Sequence, residues 1–195
     1  MSNLNDLAAP YTRFVAEPYT PNIGAVIHEL DLSRPLDATT QAELRRALAE
    51  HEVIFLRDQQ LTPAQQVEFS RIFGNVAEVK AFFPRLDAHP EIEVVESTAE
   101  RPKAASNWHA DITWRDNPPI GTSLYAQVIP ASGGDTIWAS LTRAYESLPP
   151  GFQAYLETLT AVHSWEISGW TEYLLQQDAS GEQLREARAK YPPVE

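Results

Sequence analysis

The chain has 195 residues, 43% of them hydrophobic and 22% charged, which is the make-up of a globular domain long enough for one real core. Acidic residues outnumber basic ones 27 to 15, a formal net charge of −12, so broad binding to a nucleic-acid phosphate backbone is not expected. There is no cysteine, which excludes disulfides, thiolate metal sites and cysteine nucleophiles.

No apolar run approaches the roughly 20 residues a membrane helix needs. The opening MSNLNDLAAP lacks the basic and apolar regions of a secretion signal. A soluble, cytoplasmic protein without membrane or nucleic-acid partners is the expectation.

In chain order, residues 1–20 have little periodicity and read as an N-terminal arm on a single domain spanning 1–195. IGAVIHEL (Ile23–Leu30) reads as a first strand. Thr40 to Glu43 has the T-x-x-E spacing of a capping box and predicts a helix to about Glu50, with Leu44, Ala47 and Leu48 inward. VIFL (Val53–Leu56) is wholly apolar, as a strand buried on both faces would be. Thr62-Pro63-Ala64-Gln65 opens a second helix, with proline in its first turn and glutamine completing the box, and Gly74 stops it.

The texture then changes. IEVVES, WHADITW, TSLYAQVIP and DTIWAS are strand-like and are separated by turns bearing proline or glycine, the spacing of an antiparallel sandwich or jelly roll. LTRAYESL and GFQAYLETL read as helices, TAVHSW as a strand, and the chain from Glu166 onward is polar and at best amphipathic. The fold class expected is α+β or mainly β.

Within WHADITW, His109 and Asp111 stand at i and i+2, positions that share one face of a strand. An imidazole and a carboxylate side by side are two arms of a facial metal triad, whose open positions accept a chelating cosubstrate and dioxygen. The plain alternative is a salt-bridged pair at a strand end, and HxD alone does not choose between them. Trp114, Trp165 and Trp170 read as core aromatics.

The neighbours of HxD carry more information. N-W-H-A-D-x-T-W, then P-P-x-G-x-S, then P-x-S-G-G-D-T-x-W-x-S and A-Y-E-x-L form an ordered series, preceded by DLSRPL and HEVIFLRDQQLTPAQQVEFSRIFG. This series resembles the taurine catabolism dioxygenase (TauD/TfdA) family of Fe(II)- and 2-oxoglutarate-dependent oxygenases, from about residue 20 to the end.

The resemblance implies a double-stranded β-helix, or jelly roll, with flanking helices. It implies Fe(II), 2-oxoglutarate and O2 as the reaction's requirements, with hydroxylation of a small, anionic organic substrate that breaks a C–S or C–O bond. His109 and Asp111 match the first two iron ligands, and Thr136 matches the threonine whose hydroxyl contacts a carboxylate of 2-oxoglutarate. An alkyl sulfate, a sulfonate or an aryloxy acid is the substrate class expected. Lys80, Phe83, Asn107 and Ile112 are the candidates for its pocket. Lys80, Phe83 and Ala105 stand where the taurine-cleaving member has its substrate-binding residues, which argues against taurine.

The pattern departs from the family downstream. The third ligand, a distal histidine, and the arginine that forks onto 2-oxoglutarate lie far beyond HxD, yet the one histidine after Asp111 is His163, which aligns elsewhere. Arg185 and Arg188 lie in a polar helical run and do not match the anchor. The expectation is a C-terminally incomplete domain, of weak or no activity as an isolated chain, with His163 or a partner chain as substitute ligand donors and homo-oligomerisation left open. Two rival readings remain: a cupin-type metalloenzyme independent of 2-oxoglutarate, and a non-catalytic remnant that keeps His109 and Asp111 by descent.

Overall fold

The computed structural model describes residues 9–76, 84–98, 108–168 and 170–194. The chain divides into two units, Met1–Val95 with Tyr125–Leu148, and Glu96–Leu124 with Pro149–Glu195.

The first unit is built on a sheet of three strands in the order β1 (Val15–Pro18), β2 (Ala25–His28), β3 (Ile54–Leu56). β1 lies antiparallel to β2, with Val15 opposite His28 and Pro18 opposite Ala25, and it falls in the segment where the sequence shows no strand pattern. The turn between them is tied by Thr20, whose hydroxyl donates to Ile23 O and accepts from Ile23 N. Gly24 closes it at a φ of 88°, and a Cβ there would stand 3.4 Å from the Phe55 ring, so both backbone and space call for glycine.

β2 and β3 are parallel and joined by helix α1 (Ala38–His51), a β-α-β crossover. Asp37, not Thr40, caps this helix: its carboxylate accepts from Thr40 N and from the Thr40 hydroxyl. A carboxylate outcompetes a hydroxyl as acceptor for the free amides of a first turn, so the helix starts earlier than the T-x-x-E spacing predicts. Glu43 is thereby released to hold the N-terminal segment, accepting from Thr12 N, the Thr12 hydroxyl and Arg13 N.

Phe14, Ile27, Leu44, Ala47 and Ile72 form the buried cluster of this unit. β3 is half-buried rather than buried on both faces, because it is an edge strand of the sheet among the described residues. Helix α2 (Pro63–Arg71) has the predicted box, with Thr62 and Gln65 capping each other reciprocally. The hairpin β4 (Arg85–Leu86) and β5 (His89–Glu93) follows, displaced toward the N-terminus from the predicted IEVVES strand, and Arg71 of α2 reaches Glu91 of β5 at 3.7 Å.

The later half of this unit corrects the sequence reading. TSLYAQVIP and DTIWAS form no strand, because they find no ladder partner among the described residues. Their apolar side chains face solvent: Val128 is 89% exposed, Leu124 in the second unit 76%, and Ile137 69%. Tyr125 and Ser140 pin the run at its ends. The Tyr125 hydroxyl donates to Gln59 O and accepts from Leu61 N, and the Ser140 hydroxyl donates to Glu52 at 2.6 Å while capping α3 (Leu141–Glu146).

The second unit contains α4 (Pro150–Leu156), a 3-10 turn at Trp165–Ser168, α5 (Trp170–Gln177) and α6 (Glu182–Lys190). TAVHSW makes only an isolated bridge, His163 to Val194. Trp165 is the buried centre of this unit at 1% exposure, as expected of a core aromatic. Among the described residues no helix is long and apolar enough to cross a membrane.

Candidate metal site

His109 and Asp111 do not sit on a strand. Asp111 to Trp114 form a turn, and Ile112 within it has a φ of 56°, a conformation that β-branched side chains resist. Such a turn persists only where its surroundings hold it, and here Trp114 does so. Trp114 is 8% exposed and packs edge-on against Tyr191 at 4.8 Å. Tyr191 is itself fixed because its carbonyl accepts from Trp165 Nε1 at 2.9 Å.

The pair still meets, by a different route from the period-2 alternation of a strand. His109 Nε2 lies 3.5 Å from Asp111 Oδ1, and both side chains are half exposed. Two donors each about 2.1 Å from a shared cation stand roughly 3.0 to 3.6 Å apart for angles of about 90 to 120° at the metal, so this pair fits two places around one divalent ion. The other Asp111 oxygen, Oδ2, accepts from the Thr122 hydroxyl at 2.9 Å. Among the described residues no cluster of three metal-binding side chains occurs, so a third donor does not join the pair there.

The remaining candidates are placed as follows. Ile112 is half-buried in the turn. Thr136 lies in the first unit, exposed, after the Gly133-Gly134 turn, and Trp138 two residues on packs edge-on against Phe55 at 5.4 Å. Lys80, Phe83 and Asn107 lie outside the described residues. His163 spends its backbone on the bridge to Val194. Arg188 grips Glu166 through Nε and Nη2, and Arg185 donates to Ser180 O, so neither arginine points to a 2-oxoglutarate anchor.

A cleft of about 360 Å³ opens beside the Asp111–Trp114 turn, lined by Trp114, Arg115, Asp116, Lys190, Tyr191 and Val194 among others. His109 and Asp111 are not part of its wall. Thr122 is the site residue that the sequence does not single out. It follows a Pro-Pro-Ile-Gly turn without any motif of its own, and only closure of the loop brings it to Asp111.

The model of the family described as taurine catabolism dioxygenase TauD, TfdA matches residues 16–195. The chain belongs to this family. Among curated TauD/TfdA relatives it is 35% identical over 175 residues to an alpha-ketoglutarate-dependent sulfate ester dioxygenase of Pseudomonas putida, covering 85% of this chain and 55% of that one. It is 36% identical over 155 residues to an alkylsulfatase of Acinetobacter baylyi, covering 75% of this chain and 46% of that one. A solved structure of a taurine dioxygenase from Burkholderia xenovorans matches with a TM-score of 0.66 and 34% identity, over 79% of this chain and 54% of that one. The TauD/TfdA fold is thus shared, and the chain spans about half the length of the curated relatives it matches. Enzymes of this family use Fe(II), 2-oxoglutarate and O2.

Proposed function

We propose that this chain carries the ligand turn of an Fe(II)- and 2-oxoglutarate-dependent dioxygenase that hydroxylates a small anionic organic molecule and so releases its sulfate, sulfonate or aryloxy group. The observation that carries this reading is the approach of His109 Nε2 to Asp111 Oδ1 in a chain of this family. An alkyl sulfate ester is the favoured substrate, in line with the names of the Pseudomonas and Acinetobacter relatives.

In this reading His109 and Asp111 hold the iron, which when bound couples decarboxylation of 2-oxoglutarate to oxidation of the substrate by dioxygen. Thr136 donates its hydroxyl to a carboxylate of 2-oxoglutarate. Ile112 is the apolar candidate for substrate contact, and the family resemblance adds Phe83, Asn107 and, for the anionic head group, Lys80. Among the described residues no third metal-binding side chain joins the pair.

A second reading is favoured by the set of only two donors among the described residues: a chain that keeps the ligand turn and does not turn over. Anaerobic titration of the purified 195-residue chain with Fe(II) and 2-oxoglutarate separates the two. A weak visible charge-transfer band that His109→Ala abolishes supports an assembled chelate. Absence of the band from a folded chain at saturating iron and 2-oxoglutarate refutes the enzyme reading for this polypeptide.

A further inference from the structure

The Asp111 carboxylate is divided between two partners: Oδ1 faces His109 Nε2 at 3.5 Å and Oδ2 accepts the Thr122 hydroxyl at 2.9 Å. We propose that Thr122 is a positioning residue of the metal site, holding Oδ2 so that Oδ1 is the oxygen presented to the cation shared with His109. The proposal rests on the reading of His109 and Asp111 as metal ligands.

An aspartate carboxylate turns in a broad, two-fold torsional well, and in a half-exposed side chain water does nothing to choose one oxygen over the other. A single hydroxyl donor holds that torsion, and so fixes the direction of the oxygen left for the cation. Threonine suits the task because its β-branch restricts χ1, so the donor is itself aimed. It is also neutral. A lysine or arginine at the same place would bind the carboxylate as a charge-assisted pair and compete with the cation, whereas a hydroxyl orients the group and leaves its negative charge to the metal.

The loop explains how a residue eleven positions away keeps this post. It reverses at Ile112, is anchored by Trp114 against Tyr191, and returns through Pro118 and Pro119, whose fixed φ stiffens the approach to Thr122. Its ends meet at the Asp111–Thr122 hydrogen bond, as in a compact surface loop closed on itself.

The test is an NMR titration of the full chain with Mn(II), reading paramagnetic broadening of the His109 imidazole, together with the Asp111 side-chain couplings in the absence of metal. Thr122→Val keeps the shape and removes the hydroxyl; Thr122→Ser keeps the hydroxyl. The expected result is about tenfold weaker Mn(II) binding in Thr122→Val, the lower end of what loss of an outer partner costs a metal site. Thr122→Ser should restore binding, and Asp111 should average its rotamers in the valine variant alone. Equal Mn(II) affinity and an unchanged Asp111 rotamer in Thr122→Val overturn the role of Thr122 and leave the ligand pair standing. Absence of His109 broadening in the unmutated chain overturns both.

Discussion

Trp165 Nε1 donates to the carbonyl oxygen of Tyr191, and the ring of Tyr191 is the surface on which Trp114 of the Asp111–Trp114 turn rests. One buried indole therefore supports the loop that carries His109 and Asp111 from two contacts away. Trp165→Ala should cost about 3–5 kcal/mol, the range for emptying a buried aromatic site. Far-UV circular dichroism through a urea titration measures it, and a midpoint shift no larger than that of an exposed substitution would show that Trp165 is not central.

Leu44 and Leu124 make a matched pair of opposite burial. Leu44 is fully buried in the cluster behind the sheet, and Leu124 is 76% exposed. Leu44→Ala should lose about 2–5 kcal/mol, while Leu124→Ala should stay within about 0.5 kcal/mol. Parallel urea melts of the two variants give the comparison directly.

Ser140 serves two partners at once, donating to the distant Glu52 and accepting from Arg143 N at the start of α3. Ser140→Ala removes a helix cap and the hydrogen bond to the exposed Glu52, and should cost about 1 kcal/mol. Ser140→Asn retains capping but not the shape, so it should recover only part of the thermal midpoint.

The acid limb of stability follows from two capping aspartates. The Thr40 amide, then the Thr40 hydroxyl, hold Asp37 below its usual value of 3.8. The Ser180 hydroxyl, then the Gln183 amide, bring Asp178 down to about 2. Both carboxylates ionise more readily folded than unfolded, so their contribution is complete above the unfolded value of 3.8 and is lost as pH falls toward 2. Thermal midpoints taken between pH 5 and pH 2.5 should fall more steeply for the parent chain than for Asp37→Asn with Asp178→Asn.

Legibility of the sequence followed the range of the forces involved. The Thr62–Gln65 box, β2, the end of α2 and the helical character of Leu141–Leu156 depend on neighbours within a few residues, and all were readable. Asp37 was missed as a cap because a second legitimate capping pattern begins three residues later. The strands expected at residues 108–114, 122–130 and 135–140 depended on partners distant in sequence, and apolar alternation states a preference for a sheet without supplying one. The closeness of His109 and Asp111 was readable, for the wrong local reason: a strand would have aligned the two side chains, and a strained turn does so instead. Thr122 was invisible, since nothing in a sequence marks where a loop closes.

The uncovered apolar run has a measurable effect in solution. Val128 and Ile129 are both largely exposed and flanked by irregular backbone, a combination that recruits strands from other chains. Val128→Lys with Ile129→Lys should reduce light scattering at high protein concentration while leaving the urea midpoint of the chain unchanged.

The crossover that joins β2 to β3 through α1 also sets an order in time. Every residue of the cluster behind that sheet, from Tyr11 to Phe73, precedes His109 in the chain. A ribosome delivering this polypeptide from its N-terminus has therefore released the whole of the first core before it adds either His109 or Asp111.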